Sequence, residues 1–142
     1  MQRRDLLVLG LAAVSARTAW AAAPDLQAAV QAWAAGAPVR AGKVRLEVAP
    51  LVENGNAVPI TVSVDSAMSA DDRVVGIAVF NERNPQREVA AFAFGPRAGA
   101  ATASTRIRLA TSQQLVAVAR LGDGSCWSHT VDVVVTLAAC IE

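Results

Sequence analysis

Apolar and polar residues alternate with a period of two along most of this chain, and this feature constrains the fold more than any other. The first run has its apolar positions at Val44, Leu46 and Val48, and the next at Ile60, Val62 and Val64. Successive side chains of a β-strand point to opposite faces, so such alternation predicts strands that bury one face. No helical pattern interrupts the series after residue 43.

Turn signals divide this region into short segments. They are Asn54-Gly55, Asn84-Pro85, Gly95-Pro96 and Gly122-Asp123-Gly124. About seven strands are expected between them, at 44–48, 60–64, 74–80, 89–94, 101–109, 115–121 and 127–137. This spacing favours an all-β, Ig-like antiparallel β-sandwich over residues 43–137. The cysteine-to-tryptophan spacing of antibody domains is absent, so the prediction concerns the architecture and not the antibody family.

A short N-terminal helix is predicted before the sandwich, over residues 24–36. Leu26, Ala29, Val30 and Trp33 recur at helical spacing, and Gly36 suits the end of the helix. Residues 37–42 are expected to link it to the sandwich, so residues 22–42 form one N-terminal segment.

The first 21 residues have the pattern of an export signal. Arg3 and Arg4 precede an apolar run over residues 6–14, and small residues follow. Cleavage is predicted between Ala21 and Ala23. The adjacent arginines resemble the twin-arginine signal of bacteria, and the apolar run is shorter than the roughly 20 residues of a membrane span. We therefore expect a periplasmic protein that is free of the membrane after cleavage.

Charge and composition narrow the function classes. The chain has 13 basic and 12 acidic residues. Removing residues 1–21 takes away three arginines and one aspartate, so 10 basic and 11 acidic residues remain. No clustered basic surface suggests nucleic acid. His129 is the only histidine, so no histidine-rich metal site is expected, and neither a metal nor a cofactor is predicted.

Two cysteines, Cys126 and Cys140, remain after cleavage. If they flank one continuous strand, fourteen residues separate them by roughly 45 Å, whereas a disulfide needs Cα atoms within about 7 Å. No internal disulfide is predicted. Residues 138–142 form a tail of mostly small residues, the arm, which contains Cys140. We interpret Cys140 either as a reactive thiol on a movable arm or as a cysteine without a role. Cys126 is expected to be incidental.

Other polar residues have both a functional and a structural interpretation. His129 is expected to be half-buried with a hydrogen-bond partner rather than catalytic. Arg106 and Arg108 share one face of a strand, where they suit an anion or a partner's carboxylate, but a solvated sheet face is the favoured interpretation. The acidic loop residues Asp65, Asp71 and Asp72 lack the spacing of an EF-hand and are expected to be solvated.

Several segments, in order, resemble the thiosulfate-oxidation carrier family SoxY. Residues 53–62, Glu-Asn-Gly-Asn-Ala-Val-Pro-Ile-Thr-Val, are similar to its E-N-G-N-x-V-P-[IV]-x-V signature. Asn84-Pro85, Arg106 to Leu109, Gln113-Gln114 and Gly122 to Ser125 also match. The resemblance runs from about residue 43 to the C-terminal cysteine.

The resemblance implies a sandwich paired with a second Ig-like subunit, SoxZ, and makes Cys140 the thiol that carries thiosulfate-derived groups. Sulfur-oxidation enzymes and c-type cytochromes would then act on the cargo, and the carrier itself is not an enzyme. The family tail usually reads Gly-Gly-Cys-Gly-Gly, whereas here Ala138, Ala139 and Ile141 flank the cysteine. The arm is thus divergent.

One alternative belongs to another functional class. The sandwich would be a non-catalytic binding or scaffold module of a periplasmic electron-transfer or dehydrogenase system, in which Cys140 is dispensable or forms an intermolecular disulfide. A self-contained hydrolase is a more distant alternative, because the sole histidine is assigned to a strand.

Overall fold

The computed structural model describes residues 24–140, so the predicted signal at 1–21 and Ile141 lie outside the described residues. One helix and nine strands follow one another along this part of the chain. Their bounds are α1 Pro24–Trp33, β1 Val39–Ala41, β2 Val44–Glu47, β3 Leu51–Val52, β4 Val58–Val64, β5 Val74–Asn81, β6 Glu88–Ala93, β7 Thr102–Ile107, β8 Gln113–Leu121 and β9 Cys126–Val135.

The strands form the two sheets of a β-sandwich, as the alternation predicted. The larger sheet has the order β1-β9-β8-β5-β6, with β3 also paired to β9, and the smaller sheet has the order β2-β4-β7. The pairings are antiparallel except those of β1 and β3 with β9. Residues at alternate positions of both sheets meet in the main core, among them Leu46, Ile60, Val62, Ile77 and Leu115. The Ig-like architecture is confirmed.

The helix adds a third layer on the outer face of the larger sheet. Leu26 and Val30 pack there against Phe80 and Val118, and Leu26 is fully buried. The continuous apolar run of β5 is explained by this layer, because one face of the strand contacts the main core and the other contacts α1. The helix ends at Trp33, and the Gly36 N–H donates to the Gln31 carbonyl (3.1 Å) while Gly36 has φ +80°, a conformation that glycine adopts without steric cost.

Two strands more than expected lie along one edge of the larger sheet. The segment 37–42, predicted to be a linker, contains β1, and β3 follows Pro50. Both pair in parallel with β9, β1 near its start and β3 near its end. These strands are three and two residues long, too short for periodicity to indicate them. No helix in the described part of the chain has the length and apolar character needed to cross a membrane.

Candidate functional site

The segment after β9 carries Cys140 along the end of the sandwich. The Gly55 N–H donates to the Leu137 carbonyl (2.8 Å), and the Ala139 N–H donates to the Leu109 carbonyl (3.1 Å). Cys140 itself is exposed, with a free thiol. The backbone before the cysteine is therefore docked at two points, while the thiol remains accessible.

The Asn54-Gly55-Asn56 turn, the strongest turn signal in the sequence, contacts this segment directly. The Asn56 Oδ1 accepts the backbone N–H of Cys140 (3.0 Å). The Asn54 Oδ1 accepts from both the backbone N–H and the Nδ2 of Asn56, each at 3.0 Å. These two bonds orient the Asn56 amide so that its oxygen faces the arm. The turn thus positions the residue that bears the thiol.

Gly55 allows the backbone segments to approach each other closely. A Cβ at this position would lie 2.4 Å from the Leu109 carbonyl oxygen and 3.0 Å from the Ala139 nitrogen. The Gly55 carbonyl also accepts the Leu109 N–H (2.8 Å). No side chain fits between these atoms, which gives glycine a packing reason here besides its turn propensity.

A buried polar network fixes the loop that faces the arm from the other side. The Asn84 Nδ2 donates to the Arg108 carbonyl (2.7 Å), and its Oδ1 accepts from Ala110 N–H (3.0 Å) and Gln113 Nε2 (2.9 Å). The Asn84 N–H donates to the Asn81 Oδ1 (2.8 Å). Buried amides satisfied in this way are rigid, so the backbone on both sides of Leu109, the acceptor for Ala139, is held in place.

A cavity of about 740 Å³ opens between this loop and the arm. It is lined by Asn84, Pro85, Gln86, Glu88, Val89, Arg106, Ile107, Arg108 and Cys140. Its volume falls within the range of small-ligand pockets, about 300–1,000 Å³. The fold therefore brings Arg106 and Arg108 to the same cavity as the thiol, a juxtaposition that the sequence pattern did not predict.

The other cysteine is remote from this site. Cys126 begins β9 and is buried beneath α1. Both cysteines are free, and the strand between them is continuous over ten residues. The continuous strand agrees with the separation of the two cysteines argued from the sequence.

His129 and the acidic loop are structural in this fold. The His129 Nδ1 accepts the backbone N–H of Leu46 (2.9 Å), and the ring is half-buried, as expected. The Asp72 carboxylate accepts from the Ser66 hydroxyl (3.2 Å) and the Ala67 N–H (3.1 Å), so it stabilises its own loop. Within residues 24–140, no group of three or more His, Cys, Asp and Glu side chains has the arrangement of a metal site.

Comparison with protein families identifies the chain. The family model described as sulfur oxidation protein SoxY matches residues 30–140, from within the helix to the exposed cysteine. The chain belongs to the SoxY family. The resemblance stated from the sequence is thereby confirmed. The comparison with curated protein sequences finds no significant match.

Solved structures agree with this assignment. The sulfur carrier protein SoxY from Chlorobium limicola f thiosulfatophilum is similar at a TM-score of 0.67 and 27% identity, over 79% of this chain and 96% of that chain. A superoxide reductase (neelaredoxin) from Ignicoccus hospitalis reaches a TM-score of 0.58 at 18% identity, over 66% of this chain and 80% of that chain. At that identity the second likeness shows the fold alone.

The SoxY signature includes residues whose contributions sequence reasoning did not identify. Asn56 was recognised as part of a turn and Asn84 as part of a loop. In the structure, the side chain of each also forms a hydrogen bond with the backbone of a segment distant in sequence. The order Asn-Gly-Asn indicates a turn from local propensity. Nothing local to residues 54–56 indicates that residue 140 contacts them.

Proposed function

We propose that this chain is a periplasmic sulfur carrier of sulfur oxidation that holds its cargo covalently on Cys140. The observation that carries the proposal is a free, exposed thiol at the last residue of the family match, docked beside a cavity. A thiolate is the attacking form of cysteine, and the exposed position of Cys140 leaves its sulfur open to partner proteins.

Loading and unloading are assigned to partner enzymes. When thiosulfate is loaded, the Cys140 thiol loses its proton to solvent and a bond forms between its sulfur and the outer sulfur of thiosulfate. The two electrons released pass one at a time to c-type cytochrome haems of the partner proteins. The carrier contributes the nucleophile and its placement, and is not itself an enzyme. Ala138 and Ala139 belong to the docked arm, and Ile141 follows the thiol. Alanine restricts the backbone more than glycine. The arm is therefore expected to suit partner enzymes whose active-site tunnels are wider than those that accept a glycine-rich arm.

A SoxZ-like Ig-like subunit is the proposed structural partner. Three large apolar side chains remain exposed near the arm: Leu51 (58%), Val134 (53%) and Leu137 (60%). Leu51 and Val134 are register neighbours in the β3–β9 pair. A cluster of exposed apolar residues commonly marks a protein interface. Binding there would place the partner beside the segment that leads to Cys140.

The mass of the C-terminal peptide, taken from protein purified without reductant from thiosulfate-exposed cells, tests the covalent role. We expect sulfur-containing adducts on Cys140 and none on Cys126, and a Cys140→Ala variant unable to support thiosulfate oxidation. Normal oxidation by that variant would contradict the carrier function and favour the scaffold module. Replacing Arg3 and Arg4 together by lysine tests export, since unprocessed precursor should accumulate in the cytoplasm.

A further inference from the structure

Arg106 and Arg108 lie together in the lining of the cavity that contains Cys140. Arg106 lies in β7 and Arg108 is the first residue after it. The two flank the buried Ile107 and are both exposed, so their side chains lie on the same, outward side. Their backbone is fixed: Arg106 pairs with Pro59 in the β4–β7 ladder, and the Arg108 carbonyl accepts the Asn84 amide. The two charges are thus carried on rigid strand and loop backbone rather than on the arm.

No carboxylate among residues 24–140 forms an ion pair with either guanidinium. Within residues 24–140 the ion pairs are Arg45–Glu47 and Arg83–Glu82, and neither includes Arg106 or Arg108. Among the cavity residues, Glu88 supplies the single carboxylate against the two guanidiniums, and the other lining side chains apart from the thiol are neutral. The described lining therefore has a net positive charge, and its guanidinium N–H donors have no acceptor among the described residues.

We propose that Arg106 and Arg108 form an oxyanion subsite, which receives the sulfonate end of a group carried on Cys140. This inference rests on the proposed carrier function. The planar guanidinium presents several N–H donors in a fixed fork and binds tetrahedral oxyanions through two oxygens at once. The subsite favours cargo that ends in a sulfonate over cargo that ends in a neutral or cationic group.

Three methanethiosulfonate reagents of different charge test this subsite on the full-length processed chain. In each reaction the Cys140 thiolate attacks the sulfenyl sulfur, the S–S bond of the reagent breaks, and methanesulfinate leaves with the electron pair. The 2-sulfonatoethyl reagent leaves a disulfide that ends in a sulfonate, the methyl reagent is neutral, and the 2-aminoethyl reagent is cationic. Proteolysis on the N-terminal side of Asp132 separates the two cysteines, so the mass of the resulting C-terminal peptide gives the rate at Cys140 alone.

We expect the anionic reagent to lose at least about threefold in rate when Arg106 and Arg108 are both replaced by glutamine, because local positive charge raises the encounter rate of anions. The loss is measured relative to the neutral reagent, because any change in the reactivity of the thiol itself affects both reagents equally. Arg97→Gln is the matched control, since Arg97 is exposed and does not line the cavity. An equal loss in Arg97→Gln, or no loss in the double variant, would overturn the subsite.

The unmodified chain provides a second measurement that needs no variant. The ratio of anionic to cationic reaction rates should fall between about 0.01 M and about 1 M salt, because screening shortens from about 30 Å to about 3 Å. A ratio that does not change with salt contradicts the subsite. These reactions need no thiosulfate, so their outcome is independent of whether Cys140 carries sulfur in cells, and the two proposals fail separately.

Discussion

Asn56 shows how one side chain determines where the thiol lies. Its Oδ1 accepts the Cys140 N–H, and Asn54 fixes the orientation of the amide. In Asn56→Ala we expect the Cys140 amide to exchange with solvent about fivefold faster, since a hydrogen bond of this kind contributes about 1 kcal/mol net. Hydrogen exchange followed by NMR measures it, with exposed Glu53→Ala as the control. Unchanged exchange at Cys140 would show that Asn56 does not hold the arm.

Gly55 provides a steric test at the same turn. In Gly55→Ala the new methyl meets the Leu109 carbonyl at 2.4 Å, so the turn and the arm must separate. Overpacking of this kind costs about 1–3 kcal/mol in the free energy of unfolding, measurable by urea denaturation. The matched control is Gly99→Ala, where a Cβ meets no atom within 4 Å and a change within about 0.5 kcal/mol is expected. Equal effects of the two substitutions would contradict the close-approach argument.

The helix α1 acts as a cover for the outer face of the larger sheet. Leu26 is fully buried there, near Cys126, and the Arg120 guanidinium donates to the Trp33 carbonyl at the end of the helix. Cys126 lies in the cluster that α1 covers, so the docked helix contributes to the burial of its thiol.

Leu26→Ala should uncover Cys126. A truncated core leucine costs at least about 2 kcal/mol, which corresponds to about a thirtyfold larger population of the undocked state. In a Cys140→Ala background, the rate at which an aromatic disulfide reagent titrates Cys126 should rise by about that factor. Gln27→Ala, on the exposed side of α1, is the control and should react at the original rate. If Leu26→Ala leaves the rate unchanged, the helix does not control access to Cys126.

The whole molecule places three features at one end: the arm, the cavity and the exposed apolar cluster of Leu51, Val134 and Leu137. If the SoxZ-like subunit binds this cluster, Leu51→Glu should weaken its binding by about tenfold or more, because a charge would be buried at an interface core. Calorimetric titration with the partner measures this. Thr130→Glu changes an exposed residue of β9 outside the cluster and should bind normally. Equal affinities for both variants would locate the interface elsewhere.

The sequence by itself determined the local structure and supplied the candidate for the reactive residue. The period of two marks the main strands, because a half-buried strand must alternate, and a free cysteine in a tail of mostly small residues points to Cys140. Family membership also follows from ordered motifs. Each of these signals lies within a short stretch of chain.

Tertiary structure decided everything that depends on pairs of segments far apart in sequence. It placed Asn56 under Cys140, 84 residues away, and Asn84 behind the loop that docks Ala139. It buried Cys126 under a helix and brought Arg106 and Arg108 to the cavity of the thiol. The short strands β1 and β3 exist because β9 offers them an unpaired edge. Hydrogen bonds and packing between distant segments leave no local pattern in the sequence, so the folded chain alone reveals how the arm is held.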